Sequence, residues 1–154
     1  MKKLILKRKD GNNVEVELKL LDLTYVDKIM EIQHKIYDGL ENKEFYSCSD
    51  KEEFVDTLNG KGKILGCVSL QNNELIAMGV YIEYGYEGHN YGYDIEIKGE
   101  ELLKVAQIES TVVLNEYRGN KLQKIMCEII EQMGIEAGMK YMCATAAPNN
   151  KFSV

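Results

Sequence analysis

The chain has 154 residues, which fits a single domain (residues 1–154) large enough to bury a hydrophobic core. Hydrophobic residues make up 45% of the chain and charged residues 29%, as in ordinary soluble globular proteins. The net charge is -6, with 19 Lys and Arg against 25 Asp and Glu. This acidic balance argues against a nucleic-acid-binding protein, whose surface must be basic, and is compatible with a cationic or amine-bearing partner.

Two β-hairpins are predicted along the chain. The first joins Leu4–Lys7 to Val14–Leu20 through Asp10-Gly11-Asn12-Asn13, which is a strong turn sequence. The second joins Lys63–Leu70 to Glu74–Tyr84. In both pairs of segments, apolar residues either alternate with polar ones or follow one another continuously, as in strands that cover a core.

Two helices are predicted between the hairpins, and a long loop after them. The first helix begins near Thr24, a candidate N-cap, and carries apolar residues at three- and four-residue steps. The second opens at Ser49–Glu53 and turns Phe54 and Leu58 inward. The segment Gly85–Glu101 is rich in glycine and tyrosine, and we expect a mobile loop that is either an irregular surface hairpin or a substrate lid.

The last third of the chain has the pattern of a strand, a helix and a strand. Val105–Leu114 and Lys140–Ala147 are apolar strand segments. Between them lies the most regular helical pattern, which ends near Gly138 and has as its apolar positions Leu122, Ile125, Met126, Ile129, Ile130 and Met133. Such a unit predicts two parallel strands. The sequence therefore predicts an α/β (α+β) domain with a mixed twisted sheet.

The four cysteines and the N-terminus bear on the compartment. The cysteines form no CxxC pair and no grouping with histidine, so we expect no metal; they are Cys48, Cys67, Cys127 and Cys143. The first apolar run is too short for a signal peptide, and no run of 18 apolar residues occurs. We therefore expect a cytoplasmic protein with reduced thiols and no membrane insertion.

The turn between the strand Val105–Leu114 and the following helix is the candidate binding site. Tyr117–Gln123 combines a glycine with a run of backbone N–H groups at a helix start. The first four N–H groups of a helix have no internal acceptor, and the helix dipole adds positive charge there, so a phosphate group fits. The pattern fits an ordinary strand-to-helix turn equally well.

The same segment resembles motif A of the GNAT acyltransferase superfamily. The match runs over Glu109–Gln123, where Val113 precedes Tyr117-Arg118-Gly119 in a V-x-x-x-Y-R-G pattern. The order of helices and strands also resembles that of the family over nearly the whole chain. Lys121 and Gln123 depart from the motif, which has small residues at both positions so that the pyrophosphate lies against the backbone.

The resemblance implies acetyl-CoA as co-substrate and no metal. It implies that the backbone after Glu109 binds pantetheine and polarises the thioester carbonyl, through Thr111, Val112 and Val113. It implies that the pyrophosphate binds the amides of Arg118, Gly119, Asn120, Lys121, Leu122 and Gln123. Asn149, in a stretch that resembles the family's P-x-N sequence, is a further cofactor contact.

Glu109 is the candidate general base, because some members of the family carry the base at this position. Strand alternation predicts that Glu109, Thr111 and Val113 share one face, so the carboxylate would look along the thioester groove. A solvent-facing glutamate is the alternative. The sequence ends at Val154, before the family's fourth helix, where the general acid usually lies, and before its last two strands, so we expect an incomplete form of the fold.

The leading hypothesis is an N-acetyltransferase that transfers an acetyl group from acetyl-CoA to a small-molecule or peptide amine. The alternative is a GNAT-like module that binds an acyl-CoA or a protein partner without turnover. A nucleotide-binding P-loop or Rossmann domain is excluded, because no GxxxxGK[ST] or GxGxxG follows a strand. We also expect a homodimer, since the apolar strand Lys140–Ala147 would otherwise be an open sheet edge.

Overall fold

The structure is a computed structural model that describes residues 2–41 and 49–144. The strands and helices follow the chain in the order β1 (Lys2–Lys7), β2 (Asn13–Leu20), α1 (Val26–Asp38), α2 (Lys51–Asp56), β3 (Gly62–Ser69), β4 (Leu75–Ile82), β5 (Val105–Val113), α3 (Leu122–Glu136) and β6 (Tyr141–Ala144). The end of the predicted last strand, the predicted contact Asn149 and the thiol of Cys48 lie outside the described residues.

All six strands form one mixed sheet, and they lie in it in chain order. Neighbouring strands are antiparallel from β1 to β5, and β5 pairs with β6 in parallel. This confirms both predicted hairpins, the predicted parallel strands around α3 and the α/β class with a mixed sheet. The largest fully buried side chains come from the sheet and from α1 and α3, and include Leu18, Ile29, Ile64, Met126 and Ile130.

The start of α1 differs from the prediction. Asp22, not Thr24, is the capping residue, and its carboxylate accepts a hydrogen bond from the Thr24 amide at 3.0 Å. One turn of 3-10 helix, Leu23–Tyr25, then precedes the α-helix at Val26. The start of α2 is as predicted, since Asp50 accepts a hydrogen bond from the amide of Glu53 at 2.9 Å.

The segment between β4 and β5 is folded around one buried asparagine. It contains two short 3-10 helices, Tyr91–Ile95 and Gly99–Lys104. The side chain of Asn90 is only 2% exposed, donates to the carbonyls of Gly85 and Leu102, and accepts from the amide of Gly92. The glycine-rich composition therefore reflects tight turns around a buried polar anchor rather than an irregular hairpin.

The three described cysteines, Cys67, Cys127 and Cys143, are free thiols, and Cys67 is fully buried. Within residues 2–41 and 49–144, every helix is too short or too polar to cross a bilayer.

Candidate active site

A β-bulge in β5 shapes the site. In the pairing with β4, Met78 lies opposite Val112 and Val80 lies opposite Glu109, so the single residue Gly79 faces two residues of β5. One of these two, Ser110, has the left-handed conformation, with φ of 52°. An extra residue of this kind bends the strand and shifts its side-chain alternation.

The bulge separates Glu109 from the residues that follow it. Thr111 lies beside Gly79 and near the thiol of Cys127 in α3. Glu109 instead lies beside Tyr84, at the loop after β4. The prediction that Glu109, Thr111 and Val113 share one face is therefore wrong, because the regular alternation on which it depended is broken at the bulge.

Gln107 holds the carboxylate of Glu109 in place. Its side chain is 1% exposed, and its amide nitrogen donates to Glu109 Oε1 at 2.8 Å and to the His89 carbonyl at 3.2 Å. Its side-chain oxygen accepts from the Tyr91 amide at 3.0 Å. One buried side chain therefore links the candidate base to the folded loop between β4 and β5.

The ring of Tyr84 lies beside Glu109, and a second carboxylate, that of Glu53, lies near the same tyrosine. The Tyr84 hydroxyl donates to Glu109 Oε2 at 3.4 Å, and its ring lies 5.5 Å from that of His89. Burial raises the pKa of Tyr84, and the nearby charges of Glu109 and of Glu53 in α2 raise it further. The phenol therefore stays protonated, while the carboxylates give the site a negative charge that suits proton acceptance and a cationic ligand.

The turn before α3 has the backbone that the phosphate hypothesis requires. Gly119 and Lys121 both have positive φ, 93° and 60°, and no side chain caps the helix start. Lys121 thus adopts the conformation that glycine takes at no steric cost, which costs a lysine about 1 kcal/mol. Gln123 is half-buried in the first turn of α3.

Asn120 supports this turn through its side chain. Its amide group makes hydrogen bonds of 2.9 Å with both the N–H and the carbonyl of Lys7 in β1. The same side chain donates to the Tyr117 carbonyl at 2.8 Å. Leu122 and Val112 are core side chains. For these two core residues, only the backbone can meet a cofactor.

The strand edge that would hold pantetheine lies beyond the last described pair of β5 and β6. That pairing runs from Val105 opposite Tyr141 to Ile108 opposite Ala144. Among the described residues, no strand pairs with Thr111–Val113 on that side of β5. The structure thus brings the uncapped start of α3 and this edge together on one strand and its following turn.

Sequence reasoning did not find Gln107, Tyr84 or Ser110 as site residues. The one signal in the sequence is the polar run Glu109-Ser110-Thr111 inside an apolar strand, which interrupts the strand where the bulge lies. Across the described ranges, no three His, Cys, Asp or Glu side chains are grouped as metal ligands would be.

No family model and no curated protein matches the sequence, but solved structures are similar in fold. The aminoglycoside N-acetyltransferase AAC(6')-Iy in complex with CoA is 11% identical, with a TM-score of 0.66 over 92% of this chain and 84% of that one. The ribosomal-protein-alanine N-acetyltransferase of Brucella melitensis biovar Abortus 2308 is 12% identical, with a TM-score of 0.60 over 90% and 84%. The aminoglycoside acetyltransferase meta-AAC0020, from an uncultured soil metagenomic sample and in complex with sisomicin, is 15% identical, with a TM-score of 0.61 over 90% and 82%.

At these identities the likeness establishes the fold. It agrees with the mixed six-stranded sheet and its helices. The chain has the fold of the GNAT N-acetyltransferases.

Proposed function

We propose that this chain is an acyl-CoA-dependent N-acyltransferase that transfers an acetyl group from acetyl-CoA to an amine. The observation that carries the proposal is that the bulged strand β5 runs directly into the uncapped start of α3. The carboxylate of Glu109, the edge of β5 and the first amides of α3 therefore follow one another along the chain. Solved neighbours of the same fold are acetyltransferases, and one of them is a complex with CoA.

In this proposal the pyrophosphate of CoA binds at the turn before α3. The amides of Gly119 to Gln123 supply donors, whereas the predicted donor Arg118 uses its amide for the Asn115 carbonyl at 3.3 Å. The left-handed residues Gly119 and Lys121 curve the backbone around the phosphates. Lys121 adds a cationic group to that position. Asn149, outside the described residues, remains a proposed contact on the strength of the resemblance alone.

The pantetheine arm then follows the edge of β5. Backbone groups of Thr111–Val113 pair with its amides as a neighbouring strand would, and one N–H polarises the thioester carbonyl. The bulge at Ser110 bends β5 between Glu109 and Thr111. The thioester carbonyl therefore lies between the Glu109 carboxylate and the backbone edge of Thr111–Val113.

Glu109 acts as the general base. It takes a proton from the ammonium form of the acceptor, directly or through one water, and the freed amine nitrogen attacks the thioester carbon. An amide bond forms as the nitrogen gives up a second proton, the carbon–sulfur bond breaks, and the CoA thiolate leaves and takes up that proton. Gln107 orients the carboxylate for this step through its 2.8 Å hydrogen bond.

The acceptor is a small-molecule or peptide amine. The carboxylates of Glu109 and Glu53 favour an ammonium group, and the rings of Tyr84 and His89 offer faces on which its carbon skeleton can pack. Neighbours of the fold include a complex with the aminoglycoside sisomicin and an enzyme named for acetylating the alanine of a ribosomal protein.

Two measurements on the full chain test the proposal. Calorimetry with acetyl-CoA tests cofactor binding, and release of the CoA thiol in the presence of sisomicin, a polyamine or a peptide with N-terminal alanine tests turnover. Glu109→Gln should lower the rate by about 10²-fold or more, most strongly at pH values where the acceptor amine is protonated, with little change in acetyl-CoA affinity.

A matched control is Glu128→Gln, since Glu128 is an exposed residue of α3 and its replacement should leave the rate unchanged. Acetyl-CoA binding without turnover of any amine would identify the alternative, a binding module. Absence of acetyl-CoA binding at millimolar concentration would refute the proposal.

We also propose that two copies of the chain pair along β6. This strand is the last in the sheet order, and its residues Tyr141 and Ala144 are exposed. Light scattering coupled to size exclusion should give the mass of a dimer. A monomer at high protein concentration would contradict the pairing.

A further inference from the structure

A basic surface borders the turn before α3, although the chain as a whole is acidic. It consists of Lys7, Arg8, Lys9, Arg118, Lys121 and Lys124. The two segments that carry it, residues 7–10 and 115–124, hold six cations and two carboxylates in a chain whose net charge is -6. These two segments are thus locally basic, in contrast to the chain as a whole.

Direct contacts between the two segments form this surface, although they are more than 100 residues apart in the chain. Both backbone groups of Lys7 are hydrogen-bonded to the Asn120 side chain at 2.9 Å. The Lys9 amide donates to the Glu116 carbonyl at 2.9 Å, and Lys9 Nζ donates to Asn115 Oδ1 at 3.1 Å. The end of β1 is therefore fixed against the turn, so its cations are held near the helix start.

The guanidinium of Arg8 contributes to the same contact. It lies 5.5 Å from the centre of the Tyr117 ring, and its Nε faces Asp10 at 3.6 Å without a hydrogen-bond partner. Asp10 thus offsets part of the charge of this surface at short range.

Three lysines of the basic surface are not neutralised by ion pairs with described residues. Lys7, Lys121 and Lys124 are exposed and make no ion pair with any described residue. By contrast, Lys35 and Lys140 are paired with glutamates at 3.2 Å. Clustered like charges repel one another, so an unneutralised group of this kind suits a multiply charged anion.

We propose that the basic surface binds the 3'-phosphate of CoA and thereby selects free CoA thioesters over thioesters that lack this group. The inference depends on the proposed function, which places the pyrophosphate at the adjacent helix amides. CoA carries, besides its pyrophosphate, a phosphomonoester on the ribose, which has a charge between -1 and -2 like other phosphomonoesters (about -1.5 to -2 at pH 7). The helix amides account for the pyrophosphate, and the lysines offer the cations that a phosphomonoester requires.

The substrate class follows from this assignment. An acyl group on 3'-dephospho-CoA, or on the phosphopantetheine arm of a carrier protein, has no 3'-phosphate to engage the basic surface. The enzyme should therefore take its acyl group from the free CoA pool, and the reaction that supplies it must be one that forms free CoA thioesters.

Calorimetry with CoA and with 3'-dephospho-CoA tests the inference on the full chain. We expect CoA to bind at least about 10-fold more tightly, and the ratio of the two affinities to shrink as salt is raised. The double variant Lys7→Gln/Lys124→Gln should weaken CoA binding by about the same factor while leaving 3'-dephospho-CoA unchanged. Both lysines act through exposed side chains, so the backbone contact between Lys7 and Asn120 is retained.

The control is Lys63→Gln/Lys98→Gln, which removes the same charge from exposed positions outside the surface and should preserve the ratio. Equal affinity of the wild type for both compounds would overturn the inference and leave the proposed function standing. A preference for CoA that persists in the Lys7→Gln/Lys124→Gln variant would overturn it as well. If neither compound binds, the proposed function fails first and the inference with it.

Discussion

Replacing Gln107 by leucine tests how the candidate site is held together. Glutamine and leucine side chains are similar in size, but leucine makes no hydrogen bond. Gln107 is 1% exposed, so water cannot replace its hydrogen bonds. The substitution removes the bonds to the Tyr91 amide, the His89 carbonyl and Glu109. Glu109 is only half-buried and can turn to water, so the main cost comes from the two backbone groups of the loop.

The magnitude follows from these two groups. A buried donor or acceptor left without a partner costs about 1–3 kcal/mol, so we expect the free energy of unfolding to fall by about 2–6 kcal/mol. For a domain of this size, each kcal/mol lowers the melting temperature by about 2–4 °C. Urea unfolding followed by circular dichroism measures the change.

Gln132→Leu is the matched control, because Gln132 is exposed in α3 and makes one long hydrogen bond of 3.4 Å with Glu136. Its effect should stay within about 0.5 kcal/mol. Hydrogen exchange at the Tyr91 amide gives a second reading, since this amide should lose protection when Gln107 is replaced. A loss of stability below about 1 kcal/mol, with the Tyr91 amide still protected, would refute the anchoring role.

Three further predictions concern stability. Burial raises the pKa of Cys67 from 9.0 to about 12, so between these pH values only the unfolded chain loses the thiol proton. The free energy of unfolding should therefore fall by up to about 1.4 kcal/mol per pH unit as pH rises through this window. Unfolding titrations should show a less steep fall in Cys67→Val. Ser110→Val should cost about 1–2 kcal/mol because a β-branched residue is strained at positive φ, whereas Ser110→Gly should be nearly neutral; equal effects would argue against the bulge. Gly62→Ala should destabilise strongly in thermal melts, because the added Cβ would lie 2.0 Å from the Tyr81 carbonyl oxygen, while Gly88→Ala, with nothing within 4 Å, should have little effect.

The fold was predictable from the sequence where the signals are local. The strand predicted over Val105–Leu114 is observed over Val105–Val113, because β-rich composition and the following turn both define its ends. The helix predicted from Leu122 begins at that residue. The start of α1 was less predictable, since Asp22 caps a turn of 3-10 helix that the apolar periodicity of the α-helix does not include.

The candidate site was predictable only in part, because its geometry depends on residues far apart in the chain. Glu109 and the turn before α3 stand out by chemistry and by resemblance. The face of β5 on which Glu109 lies could not be predicted, since the bulge depends on how β5 pairs with Gly79 of β4. The apolar neighbours of Gln107 suggest burial, but its partners come from the loop at His89 and Tyr91, and no local pattern links them.

The departure from motif A at Lys121 has a clear physical meaning once the backbone is known. A small residue at position 121 serves two purposes, which are a left-handed backbone and space for a phosphate. Lys121 keeps the first, with φ of 60°, and replaces the second with a cation that is exposed and unpaired among the described residues. We propose that the amides of this turn keep the direction that a phosphate requires, while the side chain adds charge at the rim. Together with Lys7 and Lys124, this substitution moves part of the proposed recognition of CoA from close backbone contact to electrostatic attraction, which salt weakens more readily. The basic surface is thus the feature that should compensate for the degenerate motif.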